Sequence, residues 1–326
     1  MKTVAGKSTW LALFALLMIV GVILSVAKGS VTIPPAEIWT ILSGGGEELK
    51  RQILMNIRLP RTIVAALVGV NLALSGAILQ AIMKNPLADP HIIGISSGAG
   101  LAGIFCLLAL PDMPQLVTPA AFFGAMAAAL LIYVLAWKNG IRPLRIILAG
   151  VAVSAFLGAG ISALLIFYSD RVHNALMWMV GGLSARSWPQ VTQIFPYTVA
   201  GVVLAMFGAN QLNIMQLGDE TAKSLGLRVE LTRLWLTGAA ALLAASAVAV
   251  AGLLGFVGLI VPHVARLIVG SDHRFLLPAS VFLGAATLTF SDTFARTAFA
   301  PLELPVGIIM AGLGAPFFLF LLRREL

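Results

Sequence analysis

Residues 234–251 read LWLTGAAALLAASAVAVA, a predominantly apolar run without a charged side chain. A helix needs roughly 20 such residues to cross the hydrocarbon core of a bilayer. In lipid every backbone N–H and C=O must be bonded internally, so only helices and closed barrels can span. The run lacks the period-2 alternation of barrel strands. The stretch therefore predicts a transmembrane helix.

Similar runs recur along the whole chain. Of its 326 residues, 60% are hydrophobic and 10% are charged, and the mean hydropathy is +1.00. A soluble domain has about 25% charged residues, so this composition predicts an integral membrane protein. We expect an all-α fold with a single membrane domain over residues 1–326 and ten spans, at about 9–28, 62–83, 92–110, 117–137, 145–167, 191–209, 232–252, 254–270, 276–297 and 306–322.

The basic residues indicate how the chain is oriented. Ten spans place both termini on one side, and 13 of the 21 Lys and Arg residues then share that side, against 8 on the other. Basic loops favour the cytoplasm, so we expect both termini to be cytoplasmic. Residues 171–186 form a shorter helical candidate, which we place at the outer surface or as a partly re-entrant helix.

The sequence carries no evident chemistry of its own. It lacks the GxxxxGK[ST], HExxH and GxSxG motifs, and Cys106 is the single cysteine. The histidines are scattered without metal-ligand spacing; they are His91, His173, His263 and His273. We expect no catalytic, cofactor-binding or metal-binding residues. The net charge of +8 suits an anionic leaflet, and we expect no nucleic-acid partner.

A polar island interrupts the apolar pattern at residues 217–227. Asp219 and Glu220 would lie in the first turn of a short helix, where the helix dipole favours negative charge. Gly226 suits the helix end, where a positive φ is needed. An amphipathic segment between two spans predicts a docking site for a soluble partner; the alternative is a plain solvated loop.

Four further motifs, with the island, resemble those of the FecCD-type permeases, the membrane subunits of ABC importers for iron chelates, haem and cobalamin. The resemblance runs from about residue 56 to the C-terminus and rests on Asn85–Ala99, Gly255–Arg266 followed by Asp272–Arg274, Glu303–Gly307 and Gly314–Pro316. It implies a cobalamin-permease-like fold, that of a type II ABC importer, in a bacterial inner membrane.

The resemblance also implies partners. Two permease copies would form the pathway as a homodimer, and two ATPase subunits would hold ATP and Mg on the cytoplasmic side. A substrate-binding protein would dock outside. The island would be the coupling helix that fits the ATPase, formed by Leu217, Gly218, Asp219, Glu220, Thr221, Ala222, Lys223, Ser224, Leu225, Gly226 and Leu227.

Three arginines on the expected outer side are similar to residues that dock the binding protein in that family. They are Arg58, Arg61 and Arg296. Arginine suits this task because it stays charged and can hold a carboxylate with two hydrogen bonds. The alternative is interfacial snorkelling. Arg171 and Arg186 have no equally firm match, and their roles stay open.

Several other residues favour structural roles. Asp292 precedes Arg296 by four residues, so a local ion pair on one helix face is favoured over a functional membrane carboxylate. His263 is expected to be a structural hydrogen-bonding group. Met177 and Met179 are expected to pack.

The resemblance places spans five and ten along the pathway, at about Ala149–Ile166 and Ile308–Phe318. Their small and apolar residues suit a conduit that binds cargo weakly. An ion-coupled secondary carrier is the rival function, but such carriers usually bury ionisable residues near the midplane, where these spans are nearly free of charge. A membrane-embedded enzyme would need a catalytic cluster. The cargo stays open among ferric siderophores, haem and cobalamin, with oxyanions a further option.

Overall fold

The computed structural model describes residues 4–29, 32–91, 94–138, 140 and 143–325. Two basic residues used for the orientation, Lys2 and Arg142, lie outside the described residues, as do Ile92 and Ile93 of the first motif.

The described residues form α-helices that we number in chain order. The first seven are α1 (Val4–Ala27), α2 (Pro35–Leu42), α3 (Glu48–Gln52), α4 (Leu59–Ile82), α5 (Ile95–Ala109), α6 (Val117–Ala136) and α7 (Pro143–Phe167). The others are α8 (Val172–Val180), α9 (Trp188–Phe207), α10 (Ala209–Gln216), α11 (Asp219–Ser224), α12 (Val229–Ala251), α13 (Val257–Val269), α14 (His273–Thr297) and α15 (Val306–Glu325). A π-helical turn, Ile53–Arg58, joins α3 to α4.

Eight helical segments of the described chain are long and apolar enough to cross a membrane. They are Val4–Ala27, Glu48–Ile82, Pro114–Ala136, Pro143–Phe167, Trp188–Phe207, Val229–Ala251, His273–Thr297 and Val306–Arg323. The two other predicted spans coincide with apolar helices that are too short by the same measure, α5 with 15 residues and α13 with 13. The all-α prediction is confirmed.

Helix α4 forms the centre of the bundle and contacts α9, α12, α13 and α14. In its most apolar stretch 83% of the residues are buried, whereas the figure for α7 is 17%. Buried hydrogen bonds fix α4 against α12: the Asn71 amide donates to Ser246 Oγ at 2.9 Å, and Ser75 Oγ donates to the Ala240 carbonyl at 2.7 Å. Such bonds satisfy polar groups that would be costly to leave unpaired in a dry interior.

Glycines let α4 and α13 cross at backbone contact. A Cβ added to Gly76 would collide with the backbone of Gly258 on α13. Small residues at this position therefore bring the two helices closer than side chains would allow, as is common in membrane bundles.

The late start of the short helix α13 is explained by a loop that folds into the bundle. Asp89 lies in the α4–α5 connection and is only 4% exposed. Its carboxylate accepts the backbone N–H of His91 at 2.8 Å and that of Leu259, which lies in the first turn of α13. The first turn of a helix has unpaired N–H groups and a positive dipole end, so a buried carboxylate is favourable there. Asp89 thus caps α13 inside the protein.

The two ends of the bundle differ, and we name them for the features that they carry. The "α11 end" holds α11, the start of α1 and the start of α14, where Lys7 Nζ lies 4.9 Å from the centre of the Phe275 ring. The "arginine end" holds the end of α1 and the end of α14. Helix α15 begins at the arginine end, where Leu304 N–H donates to the Ala295 carbonyl at 3.1 Å. It runs back over about 30 Å, so both ends of the described chain lie at the α11 end.

The helix predicted at 171–186 is shorter in the structure. Helix α8 ends at Val180, and the chain then turns through Gly181 with a φ of 81°. The N–H of Gly182 donates to the carbonyl of Ala251 at the end of α12, at 2.8 Å. This contact places α8 and the following loop at the arginine end, next to the start of α15.

Candidate functional site

The polar island forms the short helix α11, as the sequence predicts. Asp219 and Glu220 occupy its first turn and Lys223 its last. Gly218 before the helix and Gly226 after it have φ values of 107° and 82°, which glycine adopts without steric cost. Leu227 N–H bonds the Ala222 carbonyl at 3.0 Å and Gly226 N–H bonds the Lys223 carbonyl at 2.9 Å. These two bonds form a Schellman motif, which ends the helix sharply.

One carboxylate of the island points into the protein and the other points out. Asp219 pairs with Lys84 Nζ at 3.0 Å and with Arg233 Nη2 at 2.9 Å. Partial burial opposes ionisation of Asp219, but hydrogen bonds from Arg233 and Lys84 outweigh it and lower the pKa of its carboxyl group. The side chain of Glu220 is 93% exposed. The sequence predicts the same role for Asp219 and Glu220 in the first turn of the helix. In the structure Asp219 attaches α11 to the protein, whereas Glu220 is exposed to solvent.

Arg233 is the anchor that receives Asp219. It is fully buried at the start of α12 and also lies 3.4 Å from Glu230, one turn away. Lys84 follows the end of α4, so the two ion pairs of Asp219 attach α11 to both α4 and α12. Sequence reasoning missed this link because its partners are 135 and 14 residues from Asp219.

The outward surface of α11 is exposed and amphipathic. Leu217 and Leu225 are 60% and 59% exposed, and they flank Glu220 and Lys223, which pair with each other at 3.3 Å. We call these four residues the α11 face. Ala222 is buried on the opposite side and packs inward. The α11 face offers two apolar side chains and two charges to a partner.

The three predicted docking arginines lie together at the arginine end but are buried. Arg61 holds Asp292 with two hydrogen bonds, of 2.9 and 3.0 Å, and Glu303 with one of 2.9 Å. Arg58 Nη1 donates to the carbonyls of Val26 and Ala27, both at 3.0 Å.

Arg296 completes the cluster. Its Nη2 donates to the carbonyl of Ser25 and, at 3.1 Å, to Ser25 Oγ. Arg58 and Arg296 thus satisfy the last carbonyl groups of α1, where the helix dipole favours cations. The direct docking role of these arginines stays a prediction. Their observed contacts tie α1, α4 and α14 together.

The predicted local ion pair of Asp292 is present but is not its main contact. Arg296 Nε lies 3.9 Å from Asp292 Oδ2, whereas Arg61 on α4 makes both short bonds to the same carboxylate. The interhelical pair dominates because Arg61 faces α14 inside the bundle, where two parallel N–H···O bonds can form. Sequence spacing could show only the i, i+4 neighbour.

The residues expected to have structural roles are only partly packed. His263 is 7% exposed and meets the Phe317 ring edge-on, with ring centres 5.7 Å apart. Met179 packs against the buried cluster that contains Trp178. Met177, also expected to pack, is 49% exposed. Among the described residues there is no group of three or more His, Cys, Asp or Glu side chains that could hold a metal ion.

Comparison with known proteins agrees with this geometry. The model of the FecCD transport family matches residues 17–324. A permease named cobalamin import system permease protein BtuC, from Halobacterium salinarum, is 45% identical over 86% of this chain and 76% of its own length. A Bacillus subtilis permease, Fe(3+)-citrate import system permease protein YfmE, is 39% identical over 96% of this chain and 94% of its own. The hemin transport system permease protein HmuU of Yersinia pestis is 38% identical over 95% and 94%.

A solved structure gives the same result at the level of the fold. It is described as an inward-facing conformation of a metal-chelate type ABC transporter, is 28% identical to this chain and superposes with a TM-score of 0.85 over 96% of this chain and 98% of its own. The helical bundle, with its short helix α11 and broken helices, is therefore that of a multi-pass ABC importer permease. The chain belongs to the FecCD transport family. This confirms the prediction of a transport subunit rather than an enzyme.

Proposed function

We propose that this chain is one of two permease copies in a binding-protein-dependent importer of a large metal chelate. A separate ATPase subunit, which would hold ATP and Mg, docks at the α11 end on the cytoplasmic side. A substrate-binding protein docks at the arginine end outside the membrane. The family assignment and the names of the relatives support the importer and the metal-chelate class.

The main support for ATPase docking is that the two sides of α11 differ: one is attached to the protein and the other is exposed. Its inner side is fastened by Asp219 and Ala222, and its outer side presents the α11 face, formed by Leu217, Glu220, Lys223 and Leu225. A short rigid helix with an anchored side and an amphipathic free side suits insertion into a groove of a partner. The apolar pair would supply buried area, and the charges would fix orientation.

The ion pairs of Asp219 would also transmit a movement of α11 to the rest of the protein. Through Asp219, α11 is connected to Lys84 at the end of α4 and to Arg233 at the start of α12. Because α4 is the most buried helix of the bundle and contacts α12 directly, a displacement of α11 would act on the centre of the protein. ATP-driven closure of the partner subunits would in this way move the spans between outward-open and inward-open states.

At the arginine end we propose that the three arginines shape the docking surface. Arg58 and Arg296 fix the end of α1, and Arg61 holds Glu303, whose side chain is 47% exposed. The binding protein would then meet a surface set by these contacts. Direct pairing of the arginines with carboxylates of that protein would require them to leave their present partners.

Charge reversal at Glu220 tests the docking of the ATPase. We expect Glu220→Lys to lower ATP-dependent chelate uptake by the reconstituted complex about tenfold, and to weaken co-purification of the ATPase, because an exposed interface charge is inverted. The control for ATPase binding is Asp170→Lys, which inverts another exposed carboxylate, 72% exposed, at the other end of the bundle. Wild-type uptake and ATPase binding by the Glu220 variant would contradict the proposed docking.

A further inference from the structure

A cavity with a volume of about 940 Å³ lies at the arginine end. Helices α6, α8, α9 and the start of α15 surround it, and Met177 and Trp178 contribute to a mostly apolar wall. Only two of its lining residues carry charge, Arg186 and Glu303. Its volume is at the upper end of the range for small-molecule sites, roughly 300–1,000 Å³.

Hydrogen bonds in the chain segments before and after Arg186 fix its backbone in the cavity wall. On one side Leu183 is buried and accepts the Arg186 N–H at 3.3 Å. On the other, Ser187 and Gln190 form a capping box that starts α9, with Ser187 N–H donating to Gln190 Oε1 at 3.0 Å. Between them Ala185 has a φ of 58°, a strained conformation for a residue with a Cβ. Such strain is characteristic of positions that present a side chain for function.

Nothing in the described chain neutralises this guanidinium group. Arg186 Nε is buried without a hydrogen-bond partner, and no described carboxylate lies at ion-pairing distance from the side chain. Burial lowers the pKa of the Arg186 guanidinium, with no opposing carboxylate to raise it again. Arginine nevertheless remains protonated, so the cavity wall carries a half-buried positive charge.

Glu303 lines the same cavity but does not pair with Arg186. Its Oε2 accepts a hydrogen bond from Arg61 Nη1 at 2.9 Å and lies 3.5 Å from Ser184 Oγ. Its charge is thus matched by Arg61, which also holds Asp292. This region holds four arginines, Arg58, Arg61, Arg186 and Arg296, and two carboxylates that pair with them, those of Asp292 and Glu303, which contact Arg61 and Arg296 but not Arg186. The excess of positive charge lies on the cavity side, at Arg186.

We propose that this cavity binds a metal chelate bearing free carboxylate groups, and that Arg186 holds one of those carboxylates. The inference rests on the proposed importer function and narrows its cargo. A carboxylate would give the guanidinium a charge-assisted, bidentate pair inside a region of low dielectric. The apolar wall with Trp178 would contact the rest of the chelate.

The position of the charge favours the cargo over a carboxylate of the binding protein. Arg186 lines the cavity, and because its Nε is closed to solvent, a small molecule inside the cavity would meet the two terminal nitrogens, Nη1 and Nη2. Citrate complexes and haem carry free carboxylates, whereas neutral ferric trihydroxamates do not. We therefore expect this chain to prefer the first chemical class.

The test is equilibrium binding of radiolabelled ferric citrate to the permease–ATPase complex in lipid nanodiscs, without binding protein. We expect Arg186→Gln to bind ferric citrate at least about tenfold more weakly than wild type, since a charge-assisted hydrogen bond contributes roughly that factor. Arg186→Lys should lose less, because the charge remains. The matched control is Arg171→Gln, which removes an exposed arginine of the same end that pairs with the adjacent Asp170, and its binding should equal wild type.

A neutral ferric trihydroxamate serves as the second probe and should bind the wild type and Arg186→Gln alike. Equal loss for both probes would assign Arg186 a structural role and overturn the proposal. So would wild-type binding of ferric citrate by Arg186→Gln. In each of these cases, ATP-dependent uptake of a chelate by the wild-type complex would leave the importer function standing.

Discussion

At the scale of single residues, the structure separates charges that hold the protein together from charges that remain available. Arg61 and Asp292 form a buried bidentate pair between α4 and α14, with side chains 8% and 1% exposed. Removing one member of such a pair strands the other in a medium of low dielectric, which typically costs about 3–5 kcal/mol. Glu220 and Lys223, in contrast, pair on the surface, where the gain is small.

We therefore expect Arg61→Met to destabilise the protein by roughly 3 kcal/mol, because Asp292 loses both of its short hydrogen bonds. The measurement is the unfolding midpoint of the purified protein in detergent. Arg171→Met removes an exposed arginine whose ion pair within the described residues is with its neighbour Asp170, at 3.2 Å, and should leave the midpoint nearly unchanged.

The double variant Arg61→Met/Asp292→Leu should be less destabilised than the sum of the two single variants, since neither charge is then left alone. Full additivity, or an unchanged midpoint for Arg61→Met, would show that the pair does not hold α4 to α14.

At the scale of elements, much of the bundle was predictable from the sequence. The predicted span at 276–297 became α14, His273–Thr297, and the one at 117–137 ended within one residue of α6. Predominantly apolar runs of membrane length without strand-like alternation form helices in lipid, so length and composition suffice.

The broken helices were less predictable. The span predicted at 254–270 begins only at Val257, because Asp89 from a distant loop caps it within the protein. A carboxylate cap from a residue 170 positions away leaves no local pattern in the sequence. The same reason explains the Arg61–Asp292 pair, whose members are 231 residues apart. Long-range polar contacts depend on the packing of the helices, which the apolar pattern does not specify.

The attachment of α11 to α12 can be tested by a double-mutant cycle. We expect Asp219→Ala and Arg233→Ala each to leave ATP hydrolysis of the assembled complex intact while lowering transport per ATP several-fold, because α11 no longer moves α12. The double variant should be little worse than either single one, since both remove the same 2.9 Å contact.

Glu230→Ala is the control for this cycle. Its carboxylate lies farther from Arg233, at 3.4 Å, and is 43% exposed, so its loss should affect coupling least. Strictly additive effects of Asp219→Ala and Arg233→Ala on transport per ATP would argue that the ion pair plays no part in the coupling.

At the scale of the whole molecule, two distinct surfaces lie at opposite ends of the bundle, separated by about 35 Å along the 23 residues of α12. One is the α11 face and the other is the arginine end with its cavity. Loops rich in Lys and Arg favour the cytoplasm, and 13 of the 21 basic residues belong to the side assigned to the termini. This asymmetry and the ATPase docking proposed for the α11 face agree on the orientation.

Single-cysteine labelling in intact cells tests that orientation directly. Cys106 is buried and is the single cysteine of the chain, so Cys106→Ser gives a background without reactive thiols. On that background we expect Ser169→Cys, exposed at the arginine end, to react with a membrane-impermeant maleimide added outside. Ser224→Cys, exposed on α11, should react only after the membrane is permeabilised. The opposite pattern would place α11 outside the cell, out of reach of ATP, and the proposed coupling would then be wrong.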